Sequence, residues 1–342
     1  MQTDGPLSGY RVIELGQLLA GPFAGCMLGY FGAEVIKIET PNGGDPIRSW
    51  RQMKDGTSLW WYSLARNKKS VTIDLKTKAG IKLVKQLINS ADIVIENFRP
   101  GQLERLIGPI SKDVILCSIT GFGQDGPRAQ EPGYDLALQA MSGIMSITGE
   151  EGAGPVKVGV AWIDIITGLY AGNAILAALF KRERNGKHSH IDISLWDCAI
   201  ASLANQGQNQ ITSGQDPGLL GSGHPNLVPY QAFQSSDGWV VIAVGSDSQF
   251  EKLSTILGFK NDWPTNEQRV NSRKEVAETV QSKVLDLTKN QVCELLEGIP
   301  TSPINKVSEA LADAQSIARG VVGEWNGNSV LASPLRFISE RE

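Results

Sequence analysis

A single aspartate, Asp164, lies in an otherwise apolar stretch of the chain. Residues 158–179 read VGVAWIDIITGLYAGNAILAAL, which predicts an amphipathic helix that begins after a short loop. Near a helix N-terminus, unpaired N–H groups and the positive end of the dipole favour an ionised carboxylate. Such a carboxylate could act as a nucleophile, or it could only cap the helix. The local sequence leaves both interpretations open.

Other nucleophile and metal chemistry finds little support in the sequence. The chain has three histidines, His188, His190 and His224, and none belongs to an HExxH pattern. The GxSxG elbow of serine hydrolases and the GxxxxGK[ST] phosphate loop do not occur either. The four cysteines are far apart and have no CxxC spacing, which predicts buried free thiols and no metal site.

Composition indicates an ordinary globular protein. The 342 residues make two domains a reasonable expectation, and 41% are hydrophobic and 20% charged. A net charge of −4 gives no electrostatic reason to expect nucleic acid or an anionic membrane as a partner. We find no apolar run of the length of a membrane helix and no signal-peptide pattern in MQTDGPLSGY. We therefore expect a cytoplasmic protein, with the mitochondrial matrix left open for a processed eukaryotic one.

The first third of the chain predicts a parallel sheet. Strand-like residues 10–15 are followed by a Gly/Pro-bearing loop, a helix of small residues and a second strand at 34–40. Strands at 91–98 and 113–120 repeat the pattern, which is typical of α/β proteins. Ligands of such sheets bind at the carboxyl ends of the strands, so residues 18–22 are well placed for one.

Two further features of this region have an ordinary interpretation. Arg66, Lys68 and Lys69 precede a strand, and such a cluster is more often a solvated turn than a site. GFGQDGP, residues 121–127, matches GxGxxG but is followed by Pro127 and a polar segment where a dinucleotide fold needs a helix. We interpret it as a mobile glycine loop and not as a nicotinamide site.

Several blocks together resemble a known family. They read LSGYRVIELGQLLAGPFAG from residue 7, NKKSVTIDLK from 67, ADIVIENFRPG from 91, CSITGFGQDGP from 117, GYDLALQAMSG from 133 and HPNLVPYQAF from 224. This combination resembles the class III CoA-transferases, to which formyl-CoA and carnitine CoA-transferases belong. Within that family it is most similar to the succinyl-CoA:dicarboxylate transferases that act on glutarate or hydroxymethylglutarate.

The resemblance implies a fold and an assembly. It implies an α/β protein with a large Rossmann-like, CoA-binding and catalytic domain over 1–215. A smaller α/β domain would follow over 216–312, and residues 313–342 would return to the large domain. The sequence marks the boundary by a long Gly/Pro-rich segment at 214–233, which we interpret as a loop. Two chains would interlock as a homodimer. No metal or redox cofactor is implied, because the CoA thioester is itself a substrate.

The resemblance also implies the site. The family nucleophile matches Asp164, which has Gly159 five residues before it and Gly168 four residues after it. The CoA-contacting positions of the family match Leu19, Ala20, Thr40, Ile73, Asp74, Leu75, Lys76, Asn97, Phe98, Arg99, Arg105, Tyr134 and Asp135. Some relatives carry Gln at the position of Leu19 and Arg at that of Thr40, which leaves acyl specificity and phosphate contacts open. For the distal carboxylate of an acceptor, the candidates are Arg48, Arg51, Lys157 and His224.

The chemistry of a thioester agrees with an aspartate nucleophile. A thioester has a good leaving group, so a carboxylate attacks it without a general base. We therefore expect CoA transfer from an acyl-CoA, succinyl-CoA in the first instance, to a carboxylic acid through an aspartyl anhydride and an aspartyl-CoA thioester. Two alternatives stay open: a 2-methylacyl-CoA racemase, and a CoA-binding protein without catalysis. The racemases of this fold carry a histidine where Tyr134 stands, and tyrosine is a poor base at neutral pH.

Overall fold

The computed structural model describes residues 5–52 and 56–336. Residues 337–342, which include Phe337 at the end of the predicted terminal strands, lie outside the described part of the chain. The described residues form two compact units. Each has its own hydrophobic core.

The first unit contains the residues up to Met145, Lys157–Pro217 and those from Gly320 on. The second contains Ser146–Val156 and Gly218–Arg319. The sequence prediction instead kept 146–156 with the first 215 residues and began the terminal segment at residue 313. The domain limits 1–215, 216–312 and 313–342 stay predictions.

A six-stranded parallel sheet forms the centre of the first unit, as the βαβ pattern predicts. Its strands, in chain order, are β1 (Arg11–Glu14), β2 (Glu34–Glu39), β3 (Lys69–Thr72), β4 (Ile93–Glu96), β5 (Ile115–Thr120) and β6 (His190–Ser194). The spatial order is β3-β2-β1-β4-β5-β6, and every neighbouring pair is parallel. This order reverses between β1 and β4, and a crevice for ligands opens at the carboxyl ends of strands where such a reversal occurs.

The first unit also contains α-helices. They are α1 (Ala20–Tyr30), α2 (Leu59–Leu64), α3 (Lys78–Asn89), α4 (Gln102–Ile107), α5 (Asp135–Met141), α6 (Trp162–Asn185), α7 (Leu195–Ala201) and α8 (Ala204–Ser213). The predicted helix around Asp164 is confirmed as α6. It packs tightly on α1, because a Cβ at Gly168 would lie 2.9 Å from the Ala20 carbonyl oxygen and from Phe23. Only glycine permits this approach.

Helix α6 is long and apolar enough, by length and composition alone, to cross a membrane. No uninterrupted apolar run of that length occurs in the sequence, because polar residues such as Asp164 and Asn173 interrupt this helix. Half of its most apolar stretch is buried inside the unit. Ile163, Ile166 and Ile175 lie in the hydrophobic core with residues of α1 and of the central strands. The apolar character of α6 therefore has an explanation in the packing of this unit.

The second unit is built on a small antiparallel sheet. Its strands are β7 (Tyr230–Ser235), β8 (Gly238–Ala243) and β9 (Thr301–Pro303), in the order β7-β8-β9. Its helices are α9 (Asp247–Leu257), α10 (Asn266–Asn271), α11 (Arg273–Val284), α12 (Lys289–Leu295), α13 (Val307–Ala312) and α14 (Ala314–Arg319). The sequence analysis wrongly placed residues 230–233 in the boundary loop. They pair with β8, from Tyr230 opposite Ala243 to Ser235 opposite Gly238. Asp237-Gly238 at the turn is a hairpin signal that the sequence analysis did not use.

After the second unit the chain forms an antiparallel hairpin on the first. Its strands are β10 (Val322–Trp325) and β11 (Asn328–Leu331). The amide of Asn328 donates to the hydroxyl of Tyr62 at 3.0 Å, and the Trp325 ring meets the Tyr62 ring edge-on at 5.4 Å between centroids. These contacts fix the hairpin against α2.

Four charged side chains are completely buried beneath the loop that follows β1. Lys37 Nζ lies 2.8 Å from Glu14 Oε1 and 2.9 Å from Asp45 Oδ2. Lys68 Nζ lies 2.7 Å from Glu14 Oε2 and 2.6 Å from the Pro22 carbonyl oxygen. We call Glu14, Lys37, Asp45 and Lys68 the buried quartet. Its formal charges cancel, as burial of ions requires.

The buried quartet corrects one expectation from the sequence. Arg66 and Lys68 were interpreted as part of a solvated turn, but both are buried. Lys69 is exposed, as expected. The reason is tertiary: Glu14 on β1 supplies the counter-charge for Lys68, and Gly25 on α1 leaves room for the Glu14 carboxylate, since a Cβ there would lie 2.0 Å from Glu14 Oε2.

We expect Lys37→Met to lower the free energy of unfolding by about 3–5 kcal/mol, because it leaves two carboxylates buried with one cation. Methionine retains most of the volume of the lysine side chain. Urea unfolding followed by tryptophan fluorescence measures the change. The matched control is Lys260→Met, which removes an exposed ion pair with Asp262 and should leave the midpoint unchanged. Equal midpoints for Lys37→Met and wild type would contradict this account of the buried quartet.

Candidate active site

A cavity of about 250 Å³ opens where the strand order reverses, at the carboxyl ends of β1, β4 and β5. The first turn of α6 and the start of α5 complete its wall. Its lining consists of Gln17, Leu18, Leu19, Ala20, Asn97, Phe98, Arg99, Pro100, Ile119, Thr120, Gly121, Ala129, Glu131, Pro132, Gly133, Tyr134, Asp135, Asp164 and Leu195. The sequence analysis placed a ligand at this edge of the sheet.

The loop between β1 and α1 is held by side chains that lie on β2, after β2 and after β4. The Asn97 amide accepts from the Gln17 N–H at 2.9 Å and donates to the Gln17 carbonyl at 2.8 Å. Asp45 accepts from the Leu18 N–H at 3.2 Å, and Lys37 donates to the Gly16 carbonyl at 2.7 Å. These bonds hold Leu18 at a φ of 64°, a left-handed conformation that is costly for a branched side chain. Tertiary contacts therefore fix the shape of this loop.

This loop aims a helix N-terminus into the cavity. Helix α1 begins at Ala20, its cap residue is Leu19, and no side chain caps it. Both residues line the cavity. Uncapped N–H groups at a helix N-terminus bind negative charge on a ligand.

The glycine loop after β5 is shaped by a close contact between backbones. A Cβ built on Gly121 would lie 2.7 Å from Gly133 Cα, and one on Gly133 would lie 2.4 Å from Gly121 Cα. The loop is also anchored, since Gly123 N–H donates to Thr120 Oγ1 at 2.9 Å and Gln124 N–H donates to an Asp192 carboxylate oxygen at 3.0 Å. Gly121 thus serves to bring residues 133–135 against the sheet, where Tyr134 and Asp135 reach the cavity.

Asp164 lies in the first turn of α6 but does not cap it. The cap residue is Ala161, which has no side chain for the purpose. Instead Asp135 Oδ1, on α5, accepts from the Ile163 N–H at 2.7 Å and from the Asp164 N–H at 3.4 Å. Among the described residues, no hydrogen bond or ion pair involves the Asp164 carboxylate, which is half-buried. The capping interpretation therefore belongs to Asp135 and not to Asp164.

The pKa of Asp164 is raised from 3.8 to about 7. Burial is the larger cause, and the negative charge of Asp135 adds to it. The position at a helix N-terminus was expected to favour the ionised form, whereas the raised pKa favours the neutral form. The first-turn N–H groups of Ile163 and Asp164 are bonded to Asp135 and not to the Asp164 carboxylate. Asp164 thus changes its charge near neutral pH, where a carboxylate of ordinary pKa is fully ionised.

The structure brings part of the predicted site together. The cavity joins Asp164 to the predicted residues Leu19, Ala20, Asn97, Phe98, Arg99, Tyr134 and Asp135. It is not lined by Thr40, Ile73, Asp74, Leu75, Lys76 or Arg105. Residues 40 and 73–76 follow β2 and β3 at the same edge of the sheet, and the side chain of Ile73 packs in the core under α3. Arg105 is exposed on α4.

Asn97 and Asp135, predicted to contact CoA, make hydrogen bonds within the protein. Asn97 uses its amide to hold Gln17, and both carboxylate oxygens of Asp135 accept hydrogen bonds inside the protein. Arg99, the cationic residue of the cavity lining, is exposed, and no ion pair of its guanidinium occurs within the described residues. Arg48, a candidate for the acceptor carboxylate, is instead paired with Glu39 at 2.6 Å.

Some lining residues were missed by the sequence analysis, chiefly Gln17, Thr120, Glu131 and Leu195. Gln17 and Thr120 each stand at or just after the end of a strand, which is a signal that the analysis could have used. Glu131 lies in a polar loop and Leu195 starts a helix, so only the fold brings them here. Among the residues that the structure describes, no cluster of three or more His, Cys, Asp or Glu could hold a metal ion.

Comparison with known proteins identifies the family. The model of CoA-transferase family III matches residues 7–341. The chain belongs to CoA-transferase family III. It is 44% identical over 336 residues to a succinate–glutarate CoA-transferase of Agrobacterium fabrum, covering 92% of this chain and 84% of that protein.

A further sequence relative and a solved structure are also similar to this member of the family III CoA-transferases. It is 38% identical over 344 residues to a human succinyl-CoA:glutarate CoA-transferase, covering 96% of this chain and 78% of that protein. A crystal structure of a CAIB/BAIF family protein from Brucella suis matches with a TM-score of 0.87 at 40% identity, covering 98% of this chain and 93% of that one. The resemblance seen in the sequence blocks is confirmed at the level of the family.

We expect Asp164→Asn to stabilise the protein more at pH 8 than at pH 5. Between about pH 4 and pH 7 the folded state keeps a proton on Asp164 that the unfolded chain has lost, so the free energy of unfolding falls as pH rises. The loss is complete above about pH 7 and amounts to at most about 4 kcal/mol. Asparagine does not ionise, so the variant avoids this loss of stability.

Urea unfolding at both pH values measures this difference. The matched control is Asp197→Asn, since Asp197 is an exposed acidic residue in the first turn of α7. It should show no pH-dependent gain. If Asp164→Asn and Asp197→Asn change stability equally at pH 5 and pH 8, the raised pKa of Asp164 is refuted.

Proposed function

We propose that the protein transfers CoA from succinyl-CoA to a dicarboxylic acid of the size of glutarate, with Asp164 as the nucleophile. The observation that carries the proposal is the half-buried Asp164 carboxylate, which has no protein partner in the described residues and faces a cavity lined by an uncapped helix N-terminus. Membership of family III and the names of the relatives support the substrates.

In the first half of the proposed reaction, CoA moves to the enzyme. An Asp164 carboxylate oxygen attacks the thioester carbonyl carbon, the C–S bond breaks, and CoA leaves as a thiolate. The product is a mixed anhydride between Asp164 and succinate. The thiolate then attacks the Asp164 carbonyl carbon, which forms an aspartyl-CoA thioester and releases succinate.

In the second half the same steps run in reverse with the acceptor. A carboxylate oxygen of the acceptor attacks the Asp164 carbonyl carbon and expels the CoA thiolate. The thiolate attacks the acceptor's carbonyl carbon in the new anhydride, and the Asp164 carboxylate leaves. Bonds and charges balance without an external base, since the nucleophile of every reaction step, a carboxylate or the CoA thiolate, is already an anion.

The cavity offers groups for the charges that this reaction develops. Each tetrahedral intermediate carries an oxyanion, and the N–H groups of Leu19 and Ala20 at the start of α1 are candidates to bind it. The Arg99 guanidinium suits the carboxylates and phosphates of the ligands. The proposed chemistry needs no further cofactor.

A homodimer is also part of the proposal. Helix α6 exposes Leu169, Tyr170 and Phe180, which are 40%, 50% and 63% accessible, and α7 exposes Ile200 at 41%. Tyr170 lines a surface hollow with Cys198 and Ala201 of α7, so apolar groups of the two helices adjoin there, as is typical of an interaction surface. The interlocked arrangement rests on the family resemblance, and sedimentation velocity tests the dimeric state.

We expect succinyl-CoA to label Asp164 covalently. Incubation followed by hydroxylamine converts the anhydride or the thioester to a hydroxamate, and mass spectrometry of the peptides locates it. Asp164→Asn should abolish the label and reduce transfer to glutarate by at least about a thousandfold. Asp197→Asn, in the first turn of α7, serves as the matched control and should behave as wild type.

Full transfer activity in Asp164→Asn would refute the proposed mechanism. If Asp164 stays unlabelled and the protein exchanges the α-proton of a 2-methylacyl-CoA with solvent, the protein is instead a racemase. The structure gives that alternative no support, because none of the three histidines, all within the described residues, lines the cavity. Binding of CoA without label or exchange would indicate a non-catalytic protein.

The rate of labelling should rise with pH and level off above about pH 7. Only the ionised carboxylate attacks, and the pKa of Asp164 is raised to about 7 in the free enzyme. Below that value, the second-order rate constant with succinyl-CoA should fall about tenfold for each pH unit. Rapid-quench labelling between pH 5 and pH 8.5 measures it. A rate that is constant from pH 5 upward would show that Asp164 ionises with an ordinary pKa.

A further inference from the structure

A continuous chain of hydrogen bonds joins α5 to the start of α6. The Val158 N–H donates to Gln139 Oε1 at 2.9 Å, and Gln139 Nε2 donates to Asp135 Oδ2 at 2.7 Å. The other oxygen of Asp135 accepts from the Ile163 N–H at 2.7 Å and, more weakly, from the Asp164 N–H at 3.4 Å. Asp135 and Gln139 thus hold the segment that enters α6 at both ends.

The direction of every bond in this chain is fixed. Backbone N–H groups at Val158 and Ile163 donate at the two ends, so the groups between them must accept at both ends. A carboxylate at 135 accepts twice, and an amide at 139 accepts from Val158 and donates to Asp135. Gln139 is completely buried, so water cannot replace a lost partner there.

We infer that Asp135 and Gln139 are positioning residues that orient the Asp164 carboxylate for attack by fixing the first turn of α6. The inference rests on the proposed function, in which Asp164 is the nucleophile. Neither the cap residue Ala161 nor Asp164 itself supplies a capping group, so the first turn depends on α5 for its cap. The orientation of a nucleophile is sensitive to displacements of this kind.

The same contact sets the electrostatics of the nucleophile. Asp135 brings a negative charge beside the first turn of α6. This charge is the second cause, after burial, of the raised pKa of Asp164. The other charged groups that line the cavity are Arg99, from the end of β4, and Glu131, from the loop before α5. A change at Asp135 should therefore alter the pH profile as well as the rate.

Because the direction of these hydrogen bonds is fixed, the inference can be tested by exchanging the carboxylate at position 135 with the amide at position 139. Asp135→Asn places its amide N–H₂ against the Gln139 amide N–H₂, or else turns it toward the Ile163 N–H. Gln139→Glu places a carboxylate against the carboxylate of Asp135. The double variant, Asp135→Asn with Gln139→Glu, restores every bond: the new amide accepts from Ile163 and donates to the new carboxylate, which accepts from Val158.

We expect each single variant to react with succinyl-CoA about 10- to 100-fold more slowly in the Asp164 labelling assay, and the double variant to return to within about fivefold of wild type. The dissociation constant of free CoA should change less than about threefold in all three. In the double variant the negative charge lies one helical turn farther along α5, so the rising limb of its pH profile should shift to lower pH.

Hydrogen exchange of the peptide that carries residues 158–166 should be faster in the single variants and restored in the double one. Circular dichroism and thermal unfolding confirm that each variant is folded. Labelling of folded Asp135→Asn at the wild-type rate, or no recovery in the double variant, would overturn the inference. An unlabelled wild-type protein would refute the proposed function itself, whereas a labelled wild type with unaffected single variants refutes only the positioning role.

Discussion

The buried quartet is the interaction on which the architecture around the cavity depends. Two lysines and two carboxylates lie without solvent between β1, β2 and the loop after β1, and their charges cancel. Besides pairing with each other, Lys37 binds the Gly16 carbonyl, Lys68 binds the Pro22 carbonyl, and Asp45 binds the Leu18 N–H. Buried ions must be fully satisfied, so these contacts leave the loop one conformation. That conformation includes the left-handed Leu18 and the direction of α1.

The cavity combines two environments with opposite effects on negative charge. The N-terminus of α1 and the guanidinium of Arg99 favour anions in the cavity. Burial and Asp135, in contrast, disfavour the charge of Asp164 and raise its pKa to about 7. A carboxylate of raised pKa is a stronger nucleophile when ionised, and its ionisation destabilises the folded state. In the proposed reaction this destabilisation ends when Asp164 forms a neutral anhydride or thioester.

Much of the first unit could be predicted from the sequence. The βαβ pattern predicts β1, α1 and β2 because alternating strands and helices bury their apolar faces only on a parallel sheet. The predicted helix around Asp164 is present as α6, and the loop after β1 lines the cavity. Conversely, residues 230–233 of β7 were assigned to a loop because glycines and prolines dominate the segment before them, although these residues pair with β8 in a hairpin. Lys68 was interpreted as solvated because its partner, Glu14, is distant in the chain.

The sequence by itself determined the family, the order of the central elements and the identity of Asp164 as the carboxylate of interest, because blocks of residues and local periodicity carry that information. Only the tertiary structure decided how Asp164 is held and charged. Its helix cap comes from Asp135, at a distance of 2.7 Å from the Ile163 N–H, and its pKa is raised where the helix position alone suggested the opposite. Desolvation and like charge depend on what the fold packs around a residue, and neighbours in space are not neighbours in sequence.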